Sequence, residues 1–309
     1  MKKLIPFLFL VSYFVSSQEV ISEEVKLNNN TIELPGTLSY PNQEGQVPLV
    51  IFIHGSGNID RNGNQGDLAK ADYIKILADS LNTKGIAFYR YDKRTSNPNN
   101  FEYLKKIRFQ DLIDDAIVAI NHFKNDLRFN SMHLIGHSQG SLVAMLAAKK
   151  DIKSYISLAG PGTSIGQTLI KQVSAQNKDL GKATAQHIEE LIKTDTIQEV
   201  NPFLISVFAP QNQKFLKEWM LYNPSEEIKK LKIPIAIING NADLQVSEED
   251  ANLLHQAKLG SLLILIEKMN HVLKIVENLP ENQKSYIDPD FPISIKLINL
   301  ISEFIKENE

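Results

Sequence analysis

Short apolar runs and amphipathic runs alternate along most of this chain, and the alternation restricts its fold more than any other feature. Strand-like apolar runs occur at Val47–Ile53, 86–91 and 233–240. The stretches that follow them carry apolar residues at helical spacing, as in Tyr73–Asn82 and Glu248–Ala257. Strands that alternate with helices form a mainly parallel sheet covered by helices on both faces. The sequence therefore predicts an α/β fold, and one domain over residues 18–309 is sufficient for this length.

The alternation is interrupted between about residues 160 and 231, where the sequence stays helical. Within this stretch Asn223-Pro224 is typical of a helix start, with Asn as the cap and Pro at the first helical position. We expect a helical insertion here, a candidate lid. Near the N-terminus, alternating residues on both sides of 28–30 predict a hairpin at the edge of the sheet.

Residues 1–17 have the pattern of a secretory signal: Lys2 and Lys3, an apolar run at 4–15, and small residues before Gln18. As a helix the apolar run spans about 18 Å, less than the ~30 Å hydrocarbon core of a bilayer. We therefore expect a signal peptide, export to a periplasm or the medium, and no permanent membrane span. A buried N-terminal helix is the alternative.

Composition excludes several classes of protein. The chain has no cysteine, which excludes disulfides and a cysteine nucleophile. It has 33 basic and 36 acidic residues and no long basic run, so we expect no nucleic-acid partner. The histidines lack metal-ligand spacing, and a calcium loop starting at Asp60 would need Gly at Gln65 and Glu at Ala71. We expect no metal, no cofactor, a small-molecule partner and, by default, a monomer.

The stretch Gly136-His137-Ser138-Gln139-Gly140 has the G-x-S-x-G pattern, in which a serine lies on a strained turn between a strand and a helix. The pattern alone is weak. Here an apolar run precedes Ser138 and a small-residue helical run, GSLVAMLAAKK, follows it. A serine hydroxyl also needs a base, and a third group that orients the base. The context predicts that Ser138 is a nucleophile.

His271 is the strongest of seven candidates for the base, because it follows the last apolar run in a loop, EKMNHVLK. We expect the neighbouring His137 to pack or to hydrogen-bond rather than act as the base. Asp243 follows the run at 233–240 and precedes a helix, so it is the candidate acid, with a turn or helix cap as the alternative. The order Ser138, Asp243, His271 is that of one serine hydrolase architecture.

A serine hydrolase also needs donors for the oxyanion. We expect the backbone N–H groups of Gln139 and of Ser56, in the HGSG loop, with Gly57 as the alternative to Ser56. A phosphate-binding interpretation of this loop fails, because no Gly-Lys-Ser/Thr follows. We assign substrate binding to Gly57 and, in the aromatic part of the insertion, to Trp219 and Phe203. Such aromatic residues more commonly bury a segment against the core.

The stretches ELPGTLSYP, HGSGNIDRNGN and YRYDKRT, with GHSQG, NADLQV and NH, resemble the α/β-hydrolase superfamily over the mature chain. Within it they look like a bacterial group of esterases and acyl hydrolases. The resemblance implies a carboxylic ester hydrolase with a helical lid over its pocket. After YDKR that group usually has a glycine and small residues, whereas this chain has Thr95-Ser96-Asn97-Pro98, which affects the expected loop shape. We expect Asp60 and Arg61 to lock the HGSG loop through an ion pair, rather than to line the site.

The function predicted from the sequence is a serine carboxylesterase that works through an acyl-enzyme and a Ser-His-Asp triad. An acyl thioesterase and a serine peptidase with the same triad are alternatives. A peptidase would need a group that binds an amine, and the sequence shows none. A non-catalytic binding protein on this fold is the remaining hypothesis, and it disagrees with the presence of all three triad residues.

Overall fold

The computed structural model describes residues 19–66, 69–148 and 150–309, so the predicted signal peptide at 1–17 lies outside the described residues. Within these ranges one sheet has eight strands in the order β1-β2-β4-β3-β5-β6-β7-β8. The strands are β1 (Val20–Asn29), β2 (Ile32–Pro41), β3 (Val47–Ile53), β4 (Ala87–Tyr91), β5 (Phe129–His137), β6 (Ser154–Leu158), β7 (Ile235–Gly240) and β8 (Leu262–Ile266).

Strands β3 to β8 pair in parallel, and β1 and β2 form an antiparallel hairpin that joins β4 at one edge. The α/β prediction and the edge hairpin are therefore confirmed. All seven residues of β3 are buried. Its alternate residues belong to different cores, with Leu49 in the cluster on one face of the sheet and Val50 in the cluster on the other. A sheet covered on both faces explains why the strand sequences are continuously apolar.

The α-helices found in the described ranges are α1 (Tyr73–Asn82), α2 (Phe109–Phe123), α3 (Gln139–Ala147), α4 (Ile165–Gln176), α5 (Lys178–Thr194), α6 (Ile205–Phe208), α7 (Pro210–Met220), α8 (Pro224–Lys230), α9 (Glu248–Ala257), α10 (Leu279–Lys284) and α11 (Ile295–Lys306). Short 3₁₀ helices occupy Pro98–Lys106 and Pro202–Leu204. None of the helices in the described ranges is long and apolar enough to cross a membrane.

Local sequence explains several helix ends. Asn223 caps α8 by accepting a hydrogen bond from the N–H of Ser225, as its Asn-Pro start predicted. The C-terminal helix begins at Ile295, because the Ser294 hydroxyl accepts from the N–H of Leu297 and so sets the cap. Such a cap depends on one side-chain bond, which helical periodicity does not reveal.

Helices α4 to α8 form the expected insertion between β6 and β7. They have an apolar cluster of their own that includes Leu191, Phe208 and Leu216. Trp219 connects this cluster to the main core by stacking on Phe109 of α2, with the ring centroids 5.4 Å apart and the planes 5° from parallel. The carboxyl ends of β3, β5, β7 and β8 meet at one edge of the sheet, where α/β folds bind their ligands.

Candidate active site

Ser138 lies between β5 and α3 with φ 53° and ψ −122°, a conformation that a non-glycine residue adopts only under strain. The flanking glycines permit this turn. A Cβ atom on Gly136 would meet the backbone of Gly140 and Ser141, and one on Gly140 would meet the carbonyl oxygens of Ile53 and His54. The glycines of the motif are therefore required by close backbone approach, and the turn presents Ser138 at the edge of the sheet.

His271 and Asp243 form a buried pair in the loops after β8 and β7. His271 Nδ1 lies 2.7 Å from Asp243 Oδ2, and their side chains are only 6% and 0% exposed. Asp243 Oδ1 accepts hydrogen bonds from the N–H groups of Gln245 and Val246, at 2.8 and 3.0 Å. With Nδ1–H donated to the carboxylate, Nε2 of a neutral His271 is left as an acceptor. Asp243 thus serves both as the histidine's partner and as the turn former weighed in the sequence.

Ser138 and His271 border the same cavity, together with Gln139, Ser56 and Gly57. No hydrogen bond joins the Ser138 hydroxyl to His271 in the described ranges. Catalytic hydrogen bonds are commonly long in unliganded enzymes and shorten when the substrate binds. The structure therefore brings five of the residues selected from the sequence to one cavity, with Asp243 directly behind His271.

His137 fixes the loop that carries His271. Its Nε2–H donates to the carbonyl oxygen of His271 at 2.8 Å, and the Tyr73 hydroxyl, 3.3 Å away, donates to Nδ1. Burial, reinforced by His271 nearby, lowers the pKa of His137 to about 3, so the ring is neutral near pH 7. The sequence predicted a packing or hydrogen-bonding role for His137, but its partner lies 134 residues away.

The HGSG loop follows β3 and lies against the nucleophile. A Cβ atom on Gly55 would be 3.1 Å from the Cβ of Ser138, and Gly57 has φ +96°. The N–H of Gln139 is at the first position of α3, where no intrahelical partner exists and the helix dipole favours negative charge. Neither this N–H nor that of Ser56 has a hydrogen-bond partner in the part of the chain described. Two free donors therefore flank Ser138.

Arg61 locks the end of this loop. It pairs with Asp92 at 3.0 Å and with Glu24 at 2.5 Å. Asp60 instead accepts hydrogen bonds from the N–H groups of Asn62 and Asn64 and so stabilises its own turn. These contacts agree with the locking role expected for Arg61, although the partners Asp92 and Glu24 were not identifiable from the sequence.

Sequence reasoning missed Lys93, in the YDKR stretch. Its side chain is buried, and Nζ donates to the carbonyl oxygen of Gly55 at 2.6 Å and to Oε1 of Gln139 at 2.7 Å. Burial lowers the pKa of Lys93 to about 7. The available signal was the charged YDKR stretch directly after an apolar strand, where a lysine side chain can turn inward at the strand end.

The cavity has a volume of about 790 Å³ and lies between the strand ends and the insertion. Much of its wall is apolar and comes from the insertion: Ile165, Leu169, Val207, Phe215, Leu216 and Trp219. Neutral amides such as Gln172 and Gln245 supply polar groups, and no Asp, Glu or Arg lines the cavity among the described residues. Trp219 and Gly57 thus line it as expected. Phe203 does not, since it is 82% exposed and lies apart from the cavity.

Proteins bind metal ions through clusters of His, Cys, Asp and Glu side chains. No group of three or more His, Cys, Asp or Glu side chains in the described ranges is arranged to hold a metal ion.

The chain is similar in sequence to known proteins. Residues 68–206, which include Ser138, match the model of a family described as serine aminopeptidase, S33. The esterase EstD of Thermotoga maritima is 24% identical over 269 residues, which cover 84% of this chain and 62% of EstD. This chain therefore spans less than two thirds of that relative.

Solved structures share the fold. An esterase from Pyrococcus furiosus superposes with a TM-score of 0.59 at 17% identity, covering 99% of this chain and 98% of that one. Est1E from Butyrivibrio proteoclasticus, solved with ferulic acid bound, gives 0.58 at 18% identity and covers 92% and 96% of the two chains. With its mainly parallel sheet and these likenesses, the chain has the α/β-hydrolase fold.

Proposed function

We propose that this protein is a serine carboxylesterase, in which Ser138 is the nucleophile, His271 the base and Asp243 the group that orients the base. The observation that carries the proposal is the placement of Ser138, on its strained turn, in one cavity with the buried His271–Asp243 pair. The name of the relative EstD supports an ester as the substrate.

In the proposed reaction the Ser138 oxygen attacks the ester carbonyl while Nε2 of His271 takes the hydroxyl proton. The N–H groups of Gln139 and Ser56 hold the oxyanion, and Asp243 stabilises the imidazolium. Collapse of the tetrahedral intermediate breaks the bond to the alcohol oxygen, which receives the proton from His271. Water, activated by His271, then hydrolyses the acyl-enzyme and releases the acid. No cofactor enters these steps.

The charge of the cavity favours an ester over the alternatives. An aminopeptidase binds a substrate ammonium, which needs an anionic partner when buried, and the described lining residues include no carboxylate. An acyl-coenzyme A carries several phosphates, whereas the one Lys or Arg side chain among these lining residues is Lys93, already bonded to Gly55 and Gln139. The apolar wall and the neutral amides suit an uncharged ester.

We also propose that the enzyme acts outside the cytoplasm, in a periplasm or the medium. The signal-like pattern of residues 1–17 supports this location.

The test compares wild type with Ser138→Ala on p-nitrophenyl butyrate. We expect kcat to fall by about 10³-fold or more, since triad residues act as a unit. Ser80→Ala is the control, because Ser80 lies on α1 and its hydroxyl bonds to the carbonyl of Ile76. A fluorophosphonate probe should label wild type and the control but not Ser138→Ala. Undiminished turnover by Ser138→Ala would refute the assignment, and failure to label wild type would favour a binding protein.

A substrate panel separates the three acyl hydrolase classes. Wild type is assayed on p-nitrophenyl esters, on aminoacyl p-nitroanilides and on acyl-coenzyme A thioesters with the same acyl chain. We expect the highest kcat/KM on the esters. A higher value on the anilides or the thioesters would replace carboxylesterase with the corresponding alternative.

A further inference from the structure

Lys93 is a buried lysine at the base of the cavity, and the triad does not use it. It lies two residues after the end of β4 and is 7% exposed. Both of its hydrogen-bond acceptors are neutral: the carbonyl oxygen of Gly55 and the side-chain oxygen of Gln139. No carboxylate lies within 4 Å of its Nζ in the described ranges. The nearby Asp115 is engaged by Arg94, with an oxygen 2.6 Å from the guanidinium.

The two acceptors of Lys93 lie in the two segments that supply the oxyanion donors, the Gly55–Ser56 peptide and Gln139. The carbonyl of Gly55 and the N–H of Ser56 are part of the same peptide unit, so an ammonium bonded to that oxygen polarises the N–H. Gln139 supplies the other N–H from its backbone while its side chain is held by the same ammonium. One cation therefore connects the HGSG loop to the start of α3.

We propose that Lys93 is a positioning residue of the oxyanion hole, which fixes the distance between the N–H groups of Ser56 and Gln139 and favours negative charge between them. This inference rests on the proposed esterase function. A buried cation without a carboxylate partner is costly in the resting enzyme. The same cation becomes favourable when an oxyanion develops nearby in a water-excluded site. The unfavourable burial of the charge therefore affects the resting enzyme, whereas its stabilising effect applies to the state that carries the oxyanion.

The surroundings of Lys93 agree with this role. Burial lowers the pKa of Lys93 to about 7, so the amine and the ammonium are both present near pH 7. The neighbouring His54 donates its Nε2–H to the carbonyl of Tyr91. Burial and the charge of Lys93 lower the pKa of His54 to about 4, which keeps that ring neutral near pH 7. Lys93 therefore lies between the neutral ring of His54 and the cavity.

The experiment compares wild type with Lys93→Met, a substitution of similar length that removes the ammonium. We expect kcat on p-nitrophenyl butyrate to fall about 10- to 100-fold, as for the loss of part of an oxyanion hole, while KM stays within about threefold because the effect is confined to the transition state. Affinity for a boronic acid, which forms a tetrahedral adduct with the serine, should fall by the same factor as kcat. A merely structural role would not make these two losses equal.

Lys258→Met is the matched control. Its Nζ also donates to a backbone carbonyl, that of Leu231 at 2.7 Å, and Lys258 is not among the residues that line the cavity. We expect wild-type kcat and boronic acid affinity for this variant. Equal losses in the two lysine variants would overturn the inference, as would wild-type values for Lys93→Met.

If Lys93→Met does not fold, a second variant tests the inference. Gln139→Met keeps the backbone N–H but removes one acceptor of the ammonium, so kcat and boronic acid affinity should fall together by a smaller factor. No loss in this variant, or a loss in KM alone, would overturn the inference. If wild type and Lys258→Met hydrolyse no ester, the proposed function has failed rather than the role of Lys93.

Discussion

The cavity is bounded by two regions built in different ways. Its floor consists of the strand ends with Ser138, His271 and the HGSG loop, where buried polar groups are joined by hydrogen bonds across distant parts of the chain. Its cover is the insertion between β6 and β7, which contributes mostly apolar side chains that also pack in a cluster of their own. The hydrogen bonds of the floor hold individual polar groups in fixed positions, whereas the cover determines the shape of the cavity.

This difference predicts different consequences of mutation. A hydrogen bond holds one atom at one distance and direction, so its loss at a reacting group lowers the rate steeply. An apolar wall excludes water and accommodates a range of groups, and each methylene is worth only about 1–3 kcal/mol of discrimination. Changes in the floor should therefore act on kcat, and changes in the cover on the choice of substrate.

The largest effect is expected from Asp243→Asn in the floor. The amide oxygen of Asn can still accept from the N–H groups of Gln245 and Val246, so the turn and the free energy of unfolding should change little. The amide nitrogen cannot accept from Nδ1–H of His271, which leaves the base in the wrong tautomer. We expect kcat on p-nitrophenyl butyrate to fall about 10³- to 10⁴-fold with KM nearly unchanged.

The control for this prediction is Asp250→Asn, another buried carboxylate with backbone partners. Asp250 accepts hydrogen bonds from the N–H groups of Gly162 and Ser247 and is not among the residues that line the cavity. It should retain kcat, whatever its effect on the melting temperature. If Asp243→Asn keeps more than a tenth of wild-type kcat, the floor does not depend on the histidine–aspartate bond.

An intermediate effect is expected from lowering the pH, which favours protonation of histidines that are buried and neutral in the fold. Burial is the first cause that lowers the pKa of three histidines, His54 and His133 to about 4 and His137 to about 3. In the unfolded chain a histidine has a pKa near 6.5. Between pH 6.5 and these lower values the unfolded state binds more protons than the folded state, so the free energy of unfolding falls as the pH falls. The loss from pH 6.5 to 5 is on the order of 2 kcal/mol for each histidine.

Urea unfolding at pH 7, 6 and 5 measures this loss. His133→Gln is the informative variant, because His133 bonds to the hydroxyls of Ser131 and Ser154 in the middle of the sheet and does not line the cavity. In this variant the free energy of unfolding should depend less steeply on pH, by the equivalent of about one bound proton. Its kcat at pH 7 should stay near the wild-type value. A midpoint independent of pH in wild type would show that these rings are not neutral in the fold.

The same contrast explains what the sequence could predict. The floor residues occur in short motifs at strand ends, so Ser138, Asp243, His271 and the HGSG loop could be selected from these motifs and their order along the chain. Their supporting partners were not, because the bonds from His137 to His271 and from Lys93 to Gln139 join residues that only the folded sheet brings together. Register and side-chain direction, which motifs do not encode, decide these contacts.

In the cover, helical periodicity predicted an apolar segment but could not say which face meets the cavity. Trp219 lines it and Phe203 does not, although both stand in the same aromatic stretch. The neighbouring Phe215 also lines the cavity and was not selected as a substrate-binding residue. The orientation of each helix depends on how the insertion packs, for which a single sequence carries no pattern.

The smallest effect is expected from Trp219→Ala in the cover. The indole lines the cavity and stacks on Phe109, so its removal enlarges the cavity. Across p-nitrophenyl esters from acetate to decanoate, we expect kcat/KM to shift toward longer chains by about 5- to 50-fold relative to acetate, with kcat on acetate within about threefold because the floor is untouched. Phe203→Ala removes an aromatic ring that is 82% exposed and should leave the profile unchanged. Equal shifts in the two variants, or a large loss of kcat on acetate in Trp219→Ala, would contradict the division between a floor that sets the rate and a cover that sets the preference.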